Sequence, residues 1–443
     1  MSREAPLKAE KDFTETLDEQ FPQIEVLAKS DYKTALDKLL LLEKQTRQAS
    51  DLASSKRIVA YLVDLLANER DWSLLNEQIT LLSKKHGQLK NTVQVMIQQV
   101  IEHLAEIDDI EVKVETIENI RSITENKIYV ELERARVTKI LSDILLNTKN
   151  DLDKATKVLC ELQVETYGSM EIKEKIEFIL NQVELCNRKG DYSFAKILSR
   201  KILVKSLDKF PELKLHYYNL VIEIALEEND YINIVKYLLS IYSIPLISDN
   251  KEESLKVLAR TVHFVILAPY SNLQNDLISR VVLDKDLIKL PMESELVKSF
   301  TTQELMRWNA FRDSYSAELF KNASFDQSTE KGKLHWEDLQ KRIIEHNLRV
   351  IAKYYSNITL ERLTELLQLP QAEVEANITT MVNEGVIYAR INRPLKIVSF
   401  IKNKSENELL NDWSASVDEL LEHIETIEHL INKEEMMSGI KAA

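Results

Sequence analysis

An aspartate followed by a bulky apolar residue recurs along the first two thirds of the chain, at Asp31-Tyr32, Asp71-Trp72, Asp151-Leu152, Asp191-Tyr192 and Asp230-Tyr231. The spacing is about forty residues, or its double. A weaker mark, Asp109-Ile110, fills the gap, and Pro269-Tyr270 continues the series with proline in place of aspartate. Seven such units span about 280 residues. A period of this length restricts the fold, because each unit is one supersecondary element that buries its apolar face only against its neighbours.

Each mark reads as a turn between helices. Ser30, Asn150, Gly190 and Asn229 can end one helix, and the aspartate that follows can accept from the free N–H groups of the next. Apolar residues then fall at helical spacing: Tyr32, Ala35, Leu36, Leu39 and Leu40; Tyr192, Ala195, Leu198 and Ile202; Tyr231, Ile234, Leu238 and Leu239. Small residues at Ala35, Ala155 and Ala195 let neighbouring helices approach closely. Preceding segments such as Ile58, Val59, Leu62, Val63 and Leu66 supply the partner helix. The reading is an all-α solenoid of TPR-like hairpins, a protein-binding architecture.

Composition excludes several alternatives. The chain has 443 residues but only 6 Gly, all isolated, so no phosphate-cradling loop or dinucleotide fingerprint can be written. Its net charge of −14 makes nucleic acid a poor partner. Two cysteines, Cys160 and Cys186, supply neither a disulfide framework nor a four-ligand zinc site, and fit a reducing compartment. Cys186 extends the stripe of Ile176, Ile179 and Val183 and reads as core. No apolar run reaches membrane-spanning length; the longest lies near Val262 to Ala268. The histidines form no His-x-His or HExxH pattern, and His423 and His429, six residues apart, fall about 120° apart on a helix. No catalytic, cofactor or metal residues are assigned, and no enzyme is expected.

The polar stretch 321–334 (KNASFDQSTEKGKL) reads as a linker or insertion. After it, Trp336, Leu339, Ile343, Val350 and Tyr354 stripe a long helix, with His346 on the same face as a packing residue. A helix bearing Leu360, Leu363, Leu366 and Leu367 follows, then a turn at Gln368 to Pro370 and a second helix with Val374, Ile378, Met381 and Val382. Gly385 ends it, and two strand-like runs, Val386 to Ile391 and Ile397 to Phe400, flank a turn. Helix, turn, helix and hairpin spell a winged helix. Its second helix carries Glu373, Glu375 and Glu384 and no Lys or Arg, which argues against DNA reading despite Arg390, Arg393 and Lys396 in the wing. The strand Ile397, Val398, Ser399 and Phe400 is expected as an edge free to pair with another chain.

The last helix places Leu410, Trp413, Val417, Leu420, Ile424, Ile427 and Ile431 at alternating steps of three and four, flanked by Asp412, Asp418, Glu419, Glu422, Glu425 and Glu428. That seam calls for partner helices, with packing onto its own domain as the other reading. The division expected is a tail (1–20), a solenoid (21–320, its later helices from about 215 joining the next module), the linker (321–334), a winged helix (335–402) and a bundle helix (405–435).

Five stretches go beyond pattern: LCELQVETYGSM (159–170), TENKIYVELERARVT (124–138), APYSNLQNDLI (268–278), HWEDLQKRIIEHNLRVIAKYYSNITL (335–360) and DELLEHIETIEHLI (418–431). With the order solenoid, winged helix, C-terminal helix, the chain resembles the PCI family shared by the proteasome lid, the signalosome and translation initiation factor three. Within it, the chain is similar to the 26S proteasome non-ATPase regulatory subunit 12 family and, by length and style, to its budding-yeast branch. The resemblance implies a non-catalytic scaffold of the regulatory-particle lid that supports lid assembly and positions the deubiquitinase for ubiquitin-dependent degradation. The alternative it implies is a signalosome-type subunit in cullin deneddylation. The partners implied are other PCI subunits of the lid, its zinc deubiquitinase, the ATPase ring, or signalosome subunits, without nucleic acid or membrane, in the cytoplasm and nucleus.

Overall fold

The computed structural model describes residues 13–28, 32–85, 88–107, 109–148, 150–402 and 404–442. Ser30 and Asp31 lie outside these residues. The fold is a helical solenoid followed by a winged-helix PCI module, and its contacts divide it into two units.

The first unit, residues 13–230 with 240–250, carries α1 (Thr14–Ala28), α2 (Tyr32–Gln48), α3 (Leu52–Asn68), α4 (Trp72–Lys84), α5 (Lys90–His103), α6 (Ile110–Thr124), α7 (Glu131–Asn147), α8 (Leu152–Cys160), α9 (Ile172–Lys189), α10 (Tyr192–Ser199), α11 (Val204–Leu207) and α12 (Pro211–Glu227). Helix α13 (Tyr231–Tyr242) gives its first residues, through Leu239, to the second unit, and α14 (Pro245–Ser248) closes the first. Helices α3, α5 and α7 stack as one layer and α4 and α6 as the other. One apolar cluster runs from Leu17 to Ala155. Leu17 is buried, so the expected tail 1–20 reaches too far: residues 14–20 are the first turns of α1, held by that apolar contact.

The turns explain the repeat. Ser50, Arg70, Asn150, Gly190 and Asn229 each adopt positive φ, from 48° to 85°. Each is followed by an aspartate whose backbone N–H donates back into the finished helix, to the carbonyls of Thr46, Leu66, Leu145, Cys186 and Ala225. The carboxylates of Asp51, Asp71, Asp151 and Asp191 then accept from the first turn of the next helix, as Asp71 does from Leu74 N at 3.1 Å. Two adjacent residues thus satisfy two helix ends, at about 1 kcal/mol per cap. Asp51, at the turn within the first hairpin, uses the same device and was missed by a search for forty-residue spacing. Asp109 also caps, through Glu111 N. The seventh mark is displaced: α16 (Asn272–Val282) is capped by Ser271, not by the Pro269-Tyr270 pair.

Equivalent positions of successive hairpins are tied by polar contacts. Thr80 Oγ1 donates to Asn119 Oδ1 at 3.0 Å, Asn119 Nδ2 to the Asn76 carbonyl, and Asn76 Nδ2 to Thr116 Oγ1. Gln94 and Gln98 converge on Glu133, and Arg121 pairs with Glu161.

The second unit, residues 231–239 and 251–442, holds α15 (Lys251–Leu267), α16, α17 (Pro291–Thr301), α18 (Trp308–Leu319), α19 (Glu330–Tyr354), β1 (Asn357–Thr359), α20 (Leu360–Leu367), α21 (Gln371–Asn383), β2 (Arg390–Asn392), β3 (Ile397–Ser399) and α22 (Glu406–Ala442). Helix α15 packs on α17 and α19, so the second unit starts well before the stretch 321–334. The stretch itself is not a free linker. Phe325 is buried in a short 3-10 turn, the Ser324 carbonyl contacts His335 Nδ1 at 2.7 Å, and Thr329 caps α19, which takes up residues 330–334. Polar composition concealed a single aromatic anchor. Gly332, in the first turn of α19, lies so close that a Cβ there would overlap the Asp326 carbonyl.

Candidate protein-interaction surfaces

The winged helix is built around Leu348, Ile351, Leu363, Val374, Ile378 and Val398. Thr359 ends β1 and caps α20 through Arg362 N, Gln368 takes positive φ at the turn, and Pro370 leads into α21. Sheet order is β1-β3-β2, both pairings antiparallel: Ile358 lies opposite Val398, which lies opposite Ile391.

This order corrects the edge expected at Ile397 to Phe400. Strand β3 is central, paired on both sides, and the free edges belong to β1 and β2. The four residues divide by alternation: Val398 and Phe400 face the core, whereas Ile397 and Ser399 line an open groove of about 1020 Å³ with Asn357, Arg390 and Asn392. Strand β1 escaped the sequence reading because three residues give no periodicity; its one signal was the β-branched pair Ile358-Thr359 before a helix.

The basic wing faces carboxylates of its own module. Arg393 reaches Glu375 of α21 at 3.2 Å, and Lys396 reaches Glu361 of α20 at 3.2 Å. Hydrogen bonds from Gln371 and Arg393 hold Glu375 below the usual carboxylate range. The helix that would enter a DNA groove therefore presents anions, with the nearest wing cations already engaged.

Helix α22 is exposed throughout the length over which side chains are described. Leu410, Trp413, Val417, Leu420, Ile424, Ile427 and Ile431 are all solvent-facing, from 37% exposed at Val417 to 68% at Trp413. Leu409, Leu421 and Leu430 are exposed as well and sit beside the seam, widening it beyond the two positions per heptad that a two-stranded coil needs. Covering the seven seam side chains would remove on the order of 10 kcal/mol of apolar hydration, before the cost of association.

Among the described residues no group of three or more His, Cys, Asp or Glu is placed to hold a metal ion, and no helix is long and apolar enough to cross a membrane. His346 is buried, its Nε2 3.2 Å from the Glu304 carbonyl and its ring edge-on to Phe300, as a packing residue should be. Cys186 is fully buried. The sequence reading did not connect it with Cys160, whose sulfur lies 3.7 Å away.

Comparison with known proteins agrees along the whole chain. Residues 34–250 match the family described as PSMD12/CSN4, N-terminal; residues 305–402 match the PCI domain; residues 407–439 match the 26S proteasome regulatory subunit RPN5 C-terminal domain. The chain is 54% identical to 26S proteasome regulatory subunit RPN5 of Saccharomyces cerevisiae, covering 100% of both chains. It is 41% identical to 26S proteasome regulatory subunit rpn501 of Schizosaccharomyces pombe, over 98% of this chain and 99% of that one. A shorter likeness, 33% over 20% of this chain and 21% of the relative, is to COP9 signalosome complex subunit 4 of Drosophila melanogaster. With full-length identity of this order, a PCI module in place and a matching C-terminal helix, the chain belongs to the RPN5 family of 26S proteasome regulatory subunits.

Proposed function

We propose that this chain is a non-catalytic scaffold subunit of the lid of the 26S proteasome regulatory particle. The observation that carries the reading is α22: a helix with a broad apolar stripe and acidic flanks, exposed wherever its side chains are described, and matched by the 26S proteasome regulatory subunit RPN5 C-terminal domain. Such a stripe is stable in water only when other helices cover it. In this reading α22 enters a bundle with the C-terminal helices of other PCI subunits, the free strands β1 and β2 and the groove on the sheet's outer face meet a neighbouring winged helix, and the hairpin stack offers surface to the lid's zinc deubiquitinase and the ATPase ring. The subunit supports lid assembly and positions the deubiquitinase for ubiquitin-dependent degradation, in the cytoplasm and nucleus. The signalosome alternative is weaker, since the likeness to COP9 signalosome complex subunit 4 covers 20% of this chain, whereas the proteasome subunits above match along its whole length.

The test replaces two seam residues, Leu420→Asp with Ile424→Asp. Both are exposed, so the isolated chain keeps its stability within about 0.5 kcal/mol, while burial of two carboxylates in a helix bundle costs several kcal/mol. The expected result is a folded chain absent from the lid on a native gel. Normal incorporation would overturn the bundling role. Mass spectrometry of the tagged parent chain, purified gently at low salt, should recover lid PCI subunits with the deubiquitinase; recovery of cullin machinery alone would favour the signalosome.

A further inference from the structure

The chain has two cysteines, 26 residues apart, and the fold brings their sulfurs to 3.7 Å. Cys160 is the last residue of α8 and Cys186 lies three residues before the end of α9. Their exposure differs: Cys186 is buried and Cys160 is half-buried, and both line an open groove of about 670 Å³ beside Lys157, Lys189 and Asp191.

We infer that Cys160 and Cys186 are a dithiol modification site, closed to an intramolecular disulfide by small hydroperoxides that enter from the groove. Cys160 is the attacking thiol and Cys186 the resolving one. Reactive cysteines are partly exposed and thiolate-favouring; Cys160 is the partly exposed member of this pair, and Cys186 the buried one. The hydrogen bond with Cys186 favours the Cys160 thiolate, as do Lys201 and Lys189, against burial and Asp191. The same hydrogen bond, then burial, raises the Cys186 thiol. Lys189 and Lys201 are themselves paired with Asp153 and Glu165, which keeps the groove near neutral and open to an uncharged oxidant.

The chemistry balances without a cofactor. The Cys160 thiolate attacks one oxygen of hydrogen peroxide; the S–O bond forms, the O–O bond breaks, and the departing hydroxide takes a proton to become water. Cys186 then attacks the sulfenic sulfur; the S–S bond forms, the S–O bond breaks, and the second water carries away the Cys186 proton. The two sulfurs lose two electrons and the peroxide gains them. The sulfurs must close from 3.7 Å to about 2.05 Å, a shift within reach of side-chain rotation at the C-terminal end of α8. The connection between the helices is anchored meanwhile, because Gln182 Nε2 donates to the carbonyls of both Leu159 and Leu162.

The experiment exposes the full native chain to hydrogen peroxide, quenches with iodoacetamide under denaturing conditions and measures intact mass and tryptic peptides. The expected product is lighter by about 2 Da, unalkylated, with the Cys160 and Cys186 peptides joined, and dithiothreitol reverses it. Two alkylated thiols, or Cys160 driven to sulfinic acid without joining, would overturn the inference. So would equally fast joining in urea, since the native placement would then contribute nothing. In Cys186→Ser, Cys160 should stop at a sulfenic acid trapped by dimedone; should that variant not fold, the parent chain's peptides decide alone.

Discussion

The Tyr231 hydroxyl donates to Asp338 Oδ2 across 2.6 Å, tying the first residue of α13 to the long helix α19. The ring of Tyr231 also stacks on Phe264 at 6.3 Å and meets His335 edge-on at 5.7 Å. Burial and then the Asp338 carboxylate push the phenol above its usual range, so the hydroxyl stays a donor at every physiological pH. Tyr231→Phe keeps the ring and loses the bond. It should lower stability by about 1.5 kcal/mol, the value for a hydrogen bond to a charged group, seen as an earlier midpoint in urea; an unmoved midpoint would assign the pairing no weight.

His263 makes stability depend on acid. It is 1% exposed, its two ring nitrogens have no hydrogen-bond partner, and burial followed by Arg260 lowers its pKa to about 4. Glu293, 3.9 Å away, is beyond hydrogen-bond reach and does not offset the lost hydration. The folded pKa lies below the unfolded value near 6.5, so the unfolded chain binds the extra proton: stability is complete above about pH 6.5 and falls as pH drops toward 4. The full loss is about 3 kcal/mol. Thermal midpoints at several pH values should slope less in His263→Phe than in the parent, and parallel slopes would refute the assignment.

The segment 321–333 should not tolerate deletion. Removing it takes away Phe325, buried against His335 and Trp336, together with the Thr329 cap. Loss of a buried Phe alone costs about 3 to 5 kcal/mol, and the expected outcome is insoluble protein on expression. Gly332→Ala is the milder version. Its new methyl group has to displace the Asp326 backbone, which should cost about 1 to 3 kcal/mol by urea titration; full retention of stability would mean that this turn yields easily.

Gly190 and Asp191 separate the two halves of the turn device. Gly190 holds φ of +85° with open space around it, so Gly190→Ala should cost about 1 kcal/mol through backbone conformation alone. Asp191→Ala removes the acceptor for Phe194 N and should cost about 1 kcal/mol through the cap. Being adjacent, the two should not simply add; strict additivity in a double-mutant cycle would show them to be independent.

What the sequence disclosed depended on the range of each interaction. Helices and their turns are local: the stripe Tyr192, Ala195, Leu198 and the Gly190-Asp191 pair carry their own signal, and so do the seven seam residues of α22. Long-range pairing does not. Nothing near Ile397 states that Asn357–Thr359 will come to lie beside it, so a central strand looked like an edge. Phe325 looked like a loop residue because its pocket is made by His335 and His263, one of them sixty residues earlier. The Cys160–Cys186 approach was hidden for the same reason: the stripe that marks Cys186 as core says nothing of Cys160.

The contacts that join one hairpin to the next in the first unit, such as Tyr32 to Asp71, Asn76 to Thr116 and Arg121 to Glu161, bridge 39 or 40 residues each. On a ribosome adding about 5 to 20 residues per second, the partner of any such group emerges within about 2 to 8 seconds. A newly made hairpin therefore finds its mate before the remainder of the chain exists, and the order of synthesis can serve as the order of assembly. The apolar stripe of α22, by contrast, is translated after every other described element, so the surface most prone to premature association comes out only when everything before it has had time to fold.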